Sequence, residues 1–174
     1  MIETARLRLR PPRPEDAPSL SALMTPAVSR WMGSWPAPFT LELAEARIAR
    51  SLDAVAAGRA LICVVEHRGE FAGWIGGGRI DETDRGEFGY WLGEPWHGRG
   101  FMGEAAPAYV AALRARLALN SIEATCHPEN CASARILATC GLKRIGTRIQ
   151  HAPARNRDEL VDVWELAWIC DAPG

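Results

Sequence analysis

The stretch Trp96-His97-Gly98-Arg99-Gly100-Phe101-Met102-Gly103-Glu104-Ala105 sets three glycines within six residues, between an apolar strand-like segment and a helical pattern. Glycine leaves backbone N–H groups unshielded, and the first N–H groups of a helix have no partner and lie at the positive end of its dipole. This junction can therefore hold a phosphate. A glycine-rich turn also serves as a plain strand-to-helix connection, so the loop alone does not decide the matter. A P-loop is excluded, because no Gly-Lys-Ser/Thr follows, and the dinucleotide fingerprint, which needs an acidic residue about twenty positions on, is set aside as well.

Asn130 and Ser133 form a second group, three apart at the start of a helical stretch. That is the spacing of an N-cap with a polar residue behind it. Cys131 between them stands at a helix N-terminus, a setting that can lower a thiol pKa, although an inert cysteine is the simpler reading. Glu87, Glu94 and His97 are titratable groups close to the glycine loop. Arg144, Arg148, Arg155 and Arg157 form a basic run, read as a solvated face in preference to a site for an acidic substrate or ribosomal RNA.

A chain of 174 residues suits one domain spanning 1–174 and buries about two-thirds of its unfolded surface. Hydrophobic content of 48% excludes a disordered chain, and no apolar run reaches the roughly 18 residues of a membrane helix. Five cysteines, an odd number without a C-x-x-C pair, predict reduced thiols in a cytoplasmic protein, most of them small core residues, with neither a disulfide framework nor a zinc site. The N-terminus has no hydrophobic signal region. A net charge of −1 provides no global field for nucleic acid or membrane, so any anion site is local.

These residues need elements to position them. Leu7 and Leu9 alternate with Arg6, Arg8 and Arg10, which predicts a half-buried strand ended by Pro11-Pro12 and followed by a helix from Pro14 to about Met24. Residues 29–38 cannot be regular, yet Trp31 and Trp35 make them apolar for a loop, as the lining of a pocket would be. Thr40 caps a helix whose apolar stripe is Leu41, Ala44, Ile48, Leu52 and Val55, with Gly58 past its end. Residues 60–66 and 71–80 read as a hairpin around Arg68-Gly69-Glu70, and Gly76-Gly77-Gly78 marks a weak strand or a close backbone approach.

Glu87 to Leu92 is a third central strand that runs straight into the glycine loop. The loop's helix carries Met102, Ala106, Tyr109, Val110, Leu113 and Leu117 on one stripe, and Pro107 predicts that it starts near Gly103 or Glu104. A strand over 121–126, a helix from Asn130 ending at Gly141, and a hairpin of 142–150 with 160–170 complete the chain. The order implies an α/β sheet, parallel at its centre.

Taken in order, Thr4-Ala-Arg-Leu-Arg-Leu-Arg-Pro, Pro14-Glu-Asp-Ala, Glu87-Phe-Gly-Tyr-Trp-Leu, His97-Gly-Arg-Gly-Phe-Met-Gly-Glu-Ala, Asn130-Cys-Ala-Ser and Cys140-Gly-Leu resemble the GNAT N-acetyltransferase superfamily. Within it they resemble the ribosomal-protein N-terminal acetyltransferases of the RimJ/RimL kind. The resemblance covers nearly the whole chain. It implies a mixed central sheet of about seven strands with about four helices, splayed where acetyl-CoA binds.

The family's loop pattern is Gln/Arg-x-x-Gly-x-Gly/Ala, which implies that His97, Gly98, Arg99, Gly100, Phe101, Met102 and Gly103 cradle the pyrophosphate of acetyl-CoA on backbone amides. His97 and Met102 depart from that pattern, so the Met102 side chain must turn into the core. The resemblance further implies that Asn130 meets the pantetheine arm and that the Ser133 hydroxyl protonates or hydrogen-bonds the leaving thiolate. Leu137 stands where many relatives carry a tyrosine, which leaves Ser133 as the acid. Tyr90, Trp91 and Leu92 would offer the backbone that carries acetyl-CoA and stabilises the oxyanion.

An ammonium cannot attack a thioester, so a base is needed. Glu87 is the first candidate, beside the reading as a plain surface carboxylate, with His97 and Glu94 behind it. Trp31 and Trp35 would wall the acceptor pocket, beside the commoner fate of core packing. The expected reaction moves acetyl from acetyl-CoA to a primary amine in a ternary complex, without a metal. A protein or peptide N-terminus is the first acceptor and a small-molecule amine the alternative, with a non-catalytic acyl-CoA-binding module as the competing class. The resemblance also points to a homodimer.

Overall fold

The computed structural model of the chain describes residues 1–81 and 83–168. The charged and apolar alternation at the N-terminus forms two short strands, β1 (Ile2–Glu3) and β2 (Arg8–Arg10), where one was expected. Leu7 and Leu9 are buried. Arg10 is buried too, against the expectation of a solvent-facing arginine row. It forms a bidentate pair with Asp16 at 2.7 and 2.8 Å and reaches Glu66 at 2.6 Å. A buried guanidinium needs such partners. This cluster fastens the turn Pro14–Asp16, and with it α1 (Ala17–Leu23), to the sheet.

A four-residue helix, α2 (Pro26–Ser29), precedes the irregular tryptophan segment. Thr40 caps α3 (Leu41–Ala56) by accepting from the Leu43 N–H, and Ala44, Ile48 and Ser51 face inward while Leu41 stays exposed. β3 (Ala60–His67) and β4 (Glu70–Arg79) form the expected hairpin, with Arg68 and Gly69 both at positive φ in a two-residue turn. The glycine triplet marks close backbone approach: a Cβ on Gly77 would lie 2.3 Å from the Glu87 carbonyl oxygen of β5 (Arg85–Leu92).

The glycine loop opens into α4 (Phe101–Leu117), whose stripe of Met102, Ala106, Tyr109, Val110, Leu113 and Leu117 is wholly buried. The helix begins earlier than Pro107 suggested, so the proline lies in its interior. Pro107 has no N–H for the carbonyl of residue 103, so one hydrogen bond of the helix is missing there. β6 (Ser121–Cys126), α5 (Cys131–Thr139), β7 (Lys143–Ala152) and β8 (Arg157–Ala167) follow. Gly141 takes the left-handed conformation just past α5. The expected ends of the last strand at 170, and with it Cys170, lie outside the described residues.

The eight strands form one open mixed sheet in the order β1-β2-β3-β4-β5-β6-β8-β7. The counts exceed the expected seven strands and four helices because the N-terminal strand is split and α2 is added. One core lies between the sheet and α4 with α5, and a second on the opposite face beneath α1, α2 and α3. Among the described residues β5 and β6 are the parallel pair. Their pairing ends at Glu87 opposite Glu123, although β5 runs on to Leu92 and β6 to Cys126. The sheet is splayed there, as expected. No helix of the described residues is long and apolar enough to cross a membrane.

Candidate active site

A cavity of about 940 Å³ occupies the splay and reaches both faces of the sheet. Its lining joins the glycine loop, the free stretch of β5, the end of β6, the start of α5, the loop after α2 and the β7–β8 turn. Past Glu87 the edge of β5 that faces β6 has no strand partner, so its backbone groups are open to a ligand.

Gly98 and Gly100 hold the loop in its shape with φ of 72° and 73°, a region that L side chains rarely adopt. The N-terminal motif braces the loop from behind. Arg6 donates to the Arg99 carbonyl at 3.0 Å and to Glu104 from its N–H and Nε at 2.8 and 2.7 Å, while Thr4 donates to Glu104 at 2.5 Å. Arg6 alternates like the outer face of a strand and Thr4 stands only within the N-terminal motif, so nothing local marks either as a loop support. Met102 turns into the core as required, and Phe101 is buried beneath the Arg6 guanidinium, so both reach the cavity with little more than backbone. Arg99 is exposed, its guanidinium 5.2 Å above the Trp96 ring.

His97 donates from Nε2 to the Leu92 carbonyl at 2.8 Å and so ties the loop to the end of β5. Glu94 accepts from Thr25 at 2.5 Å. Both second-choice bases are thus engaged elsewhere. Glu87 is exposed in the cavity where the strands part, and no described side chain pairs with it. Glu123, in register on the same face, is neutralised by Arg148 at 2.7 Å and Arg85 at 3.3 Å. Against the sequence reading that set it aside, the dinucleotide fingerprint is met in its letters, with Gly98-x-Gly100-x-x-Gly103 and Glu123 twenty positions past Gly103. The ion pairs of Glu123 lie on the sheet face opposite α4, so it cannot serve a ribose bound at the start of that helix.

Asn130 caps α5 by accepting from the Ser133 N–H at 3.1 Å. The Ser133 hydroxyl lies 2.9 Å from the Tyr90 phenol, which also stands 3.2 Å from the Ser133 carbonyl. Tyr90 was expected to contribute backbone alone. Burial pushes its phenol pKa up, so it stays protonated. Cys126, also in the cavity, has its thiol pushed up by burial.

The two tryptophans part company. Trp31 lines the cavity, its ring 5.7 Å from His127 and under the Arg30 guanidinium at 4.5 Å. Trp35 is 5% exposed and packs in the second core against Phe39, Trp74 and Trp91, beneath Arg47. It supports the loop and does not face the cavity. His127 accepts the Glu129 N–H on Nδ1 at 3.2 Å.

The basic run is not a free face. Arg144 pairs with Asp162, Arg148 with Glu123, and both Arg155 and Arg157 with Glu159. Arg155 does more: it donates to the Ser29 and Met32 carbonyls at 3.0 and 3.2 Å, and the neighbouring Ala154 N–H donates to the Gly33 carbonyl at 2.9 Å. The β7–β8 turn thereby holds the Trp31 loop over the cavity. Contacts across more than a hundred residues leave no trace in local spacing.

The acetyltransferase (GNAT) domain family matches residues 6–143. The uncharacterized N-acetyltransferase p20 of Bacillus licheniformis is 32% identical over 169 residues, covering 94% of this chain and 92% of that protein. Among solved structures, RimL, a ribosomal L7/L12 α-N-protein acetyltransferase in complex with coenzyme A, superposes with a TM-score of 0.80 at 19% identity, covering 94% of this chain and 95% of its own. RimJ of Mycobacterium smegmatis in complex with CoA-disulfide gives a TM-score of 0.79 at 21% identity, covering 94% of this chain and 86% of its own.

Proposed function

This chain belongs to the GNAT acetyltransferase family and is an acetyltransferase, and from that premise we propose that it moves the acetyl group of acetyl-CoA to a primary amine, first of all the α-amine of a protein or peptide. The observation that carries the proposal is the end of the β5–β6 pairing at Glu87, which opens one cavity to both faces of the sheet. Donor and acceptor can enter from opposite sides and meet there. RimL, named for acetylating L7/L12, supports the choice of a protein amine.

The cavity fits coenzyme A in its chemistry. The amides of residues 98–103 suit a pyrophosphate, the unpaired edge of β5 suits the pantetheine amides, and Asn130 and Ser133 stand at the far side. Glu87 is the base, directly or through water, and takes the proton the ammonium must lose. An α-amine with pKa of about 8 is easier to deprotonate than a lysine amine at about 10.4, a difference of about 3.3 kcal/mol, so one unpaired carboxylate suffices best for the former. Backbone N–H groups of β5 around Tyr90 to Leu92 face the developing oxyanion. The amine nitrogen forms its bond to the acetyl carbon and releases its surplus proton to water, the carbon–sulfur bond breaks with its electron pair left on sulfur, and Ser133 donates a hydrogen bond to that thiolate, which takes its proton from solvent.

Free-thiol release from acetyl-CoA with a panel of peptides and small amines tests the reading. Turnover with peptides bearing a free N-terminus, and loss on blocking it, is the expected result. Release with small amines alone moves the acceptor to that class. No release with any member of the panel sinks the proposal.

A further inference from the structure

The Ser133 hydroxyl has a single proton and a free rotor, and the Tyr90 phenol oxygen stands within its reach as an acceptor. Tyr90 lies 2.9 Å from its oxygen, and Cys126 lines the same cavity. Unless something fixes the rotor, the proton has no reason to point into the splay. The Tyr90 phenol has one proton and two acceptors on Ser133, the Oγ at 2.9 Å and the backbone carbonyl at 3.2 Å; the Oγ contact is the shorter, and of a phenol and an aliphatic alcohol in contact the phenol is the stronger acid and the better donor. Tyr90 comes from the free stretch of β5 and Ser133 from the first turn of α5, so their hydrogen bond crosses the cavity wall at the level where the strands part.

We infer that Tyr90 is a positioning residue for the transfer: its phenol donates to Ser133 Oγ, occupies that oxygen as an acceptor, and leaves the Ser133 proton free to point at the departing sulfur. The inference rests on the proposed acetyl transfer with Ser133 facing the thioester. No proton leaves Tyr90 in this scheme, consistent with burial having pushed its pKa up. The sulfur's negative charge is met by a serine hydroxyl already aimed, which costs no reorganisation as the bond breaks. Cys126 and Cys140, the titratable groups that face Tyr90 from β6 and from the end of α5, are held neutral by burial and do not compete as charged acceptors. A tyrosine on the strand thereby supports the serine on the helix, in a chain whose helix carries Leu137.

Tyr90→Phe keeps the ring and its packing beside Phe88 while removing the donor. Coenzyme A itself is the probe: its thiol is titrated in the complex by the ultraviolet absorbance of the thiolate, as a difference from the coenzyme-free protein, for the wild type, Tyr90→Phe, Ser133→Ala and the double variant. In the wild type the bound thiol titrates below the ordinary thiol value of about 8.5. Ser133→Ala raises it, Tyr90→Phe raises it by a comparable amount, and the double variant matches Ser133→Ala, since the two residues act as one unit. With an accepted amine, Tyr90→Phe lowers kcat about tenfold while KM for acetyl-CoA stays within about twofold. A thiol pKa in Tyr90→Phe equal to or below that of the wild type overturns the inference and leaves the Ser133 assignment standing. Additive effects in the double variant overturn it as well. If Ser133→Ala leaves the thiol pKa where the wild type has it, the Ser133 assignment fails and the inference falls with it.

Discussion

In the proposed reaction two side chains on opposite sides of the splay, Ser133 and Glu87, divide the proton chemistry. Ser133 is not needed for its own helix cap, because Asn130 accepts the Ser133 backbone N–H whatever side chain follows. Ser133→Ala should therefore keep the helix and cost only the hydrogen bond to Tyr90, about 1 kcal/mol, and lower kcat by about ten- to a hundredfold at unchanged acetyl-CoA affinity. Stopped-flow or steady-state thiol release at saturating acetyl-CoA measures it, and full turnover removes Ser133 from the reaction. Glu87 has no described partner to lose, so Glu87→Gln should fold normally. Its rate deficit should be greatest well below the α-amine pKa of about 8 and shrink as pH rises, since the free amine then needs no base. A pH–rate profile parallel to the wild type would exclude Glu87.

The elements that hold these side chains depend on backbone proximity. β4 passes so close to β5 that a Cβ at Gly77 would sit 2.3 Å from the Glu87 carbonyl oxygen and 2.7 Å from the Phe88 Cβ. Gly77→Ala cannot be absorbed by a flexible side chain and must push the strands apart at the residue that begins the splay. We expect a loss of about 2 kcal/mol or more, seen as a lower midpoint in denaturant, together with reduced turnover. A midpoint equal to the wild type would show that β4 and β5 can shift without cost. The same closeness explains why a glycine triplet stands in a central strand, where it otherwise weakens pairing.

Across the molecule, the side of the cavity proposed to take the acceptor is bounded by a contact between the loop after α2 and the β7–β8 turn. Arg155 joins them, with Glu159 fixing its guanidinium at 2.5 and 2.7 Å. Arg155→Ala should raise KM for the acceptor several-fold with KM for acetyl-CoA nearly constant; an equal rise in both would place Arg155 in general stability. The hydrogen bond from Arg155, reinforced by Arg157, holds the Glu159 carboxylate down to about 2. A carboxylate depressed in the folded state contributes stability above its unfolded pKa of about 4.3, and that contribution is lost as pH falls through the folded value. The stability gap between the wild type and Glu159→Gln should thus be constant above about pH 5 and close toward pH 2. Denaturant unfolding at a series of pH values checks this, and a gap that does not narrow in acid would separate Glu159 from the clamp.

Much of the fold was legible because its signals act over a few residues. Gly98 and Gly100 in the loop, Asn130 as a cap, Gly141 past α5, the Arg68-Gly69 turn and the apolar stripe of α4 each follow from neighbours within one or two turns. The order of motifs supplied the splay between Glu87 and the 121–126 strand. Tertiary structure alone decided what depends on partners far apart in the chain. Arg10 alternates like a surface residue, yet Asp16 and Glu66 bury it. Trp31 and Trp35 read alike, and only the contacts of the second core send one to the cavity and the other inward. Arg155, which reads as a solvated cation, and Tyr90, which reads as offering backbone alone to acetyl-CoA, acquire their side-chain contacts from Ser29, Met32 and Ser133. Spacing encodes which face of an element a residue occupies, while the group that meets it across the fold is fixed by how those faces are brought together.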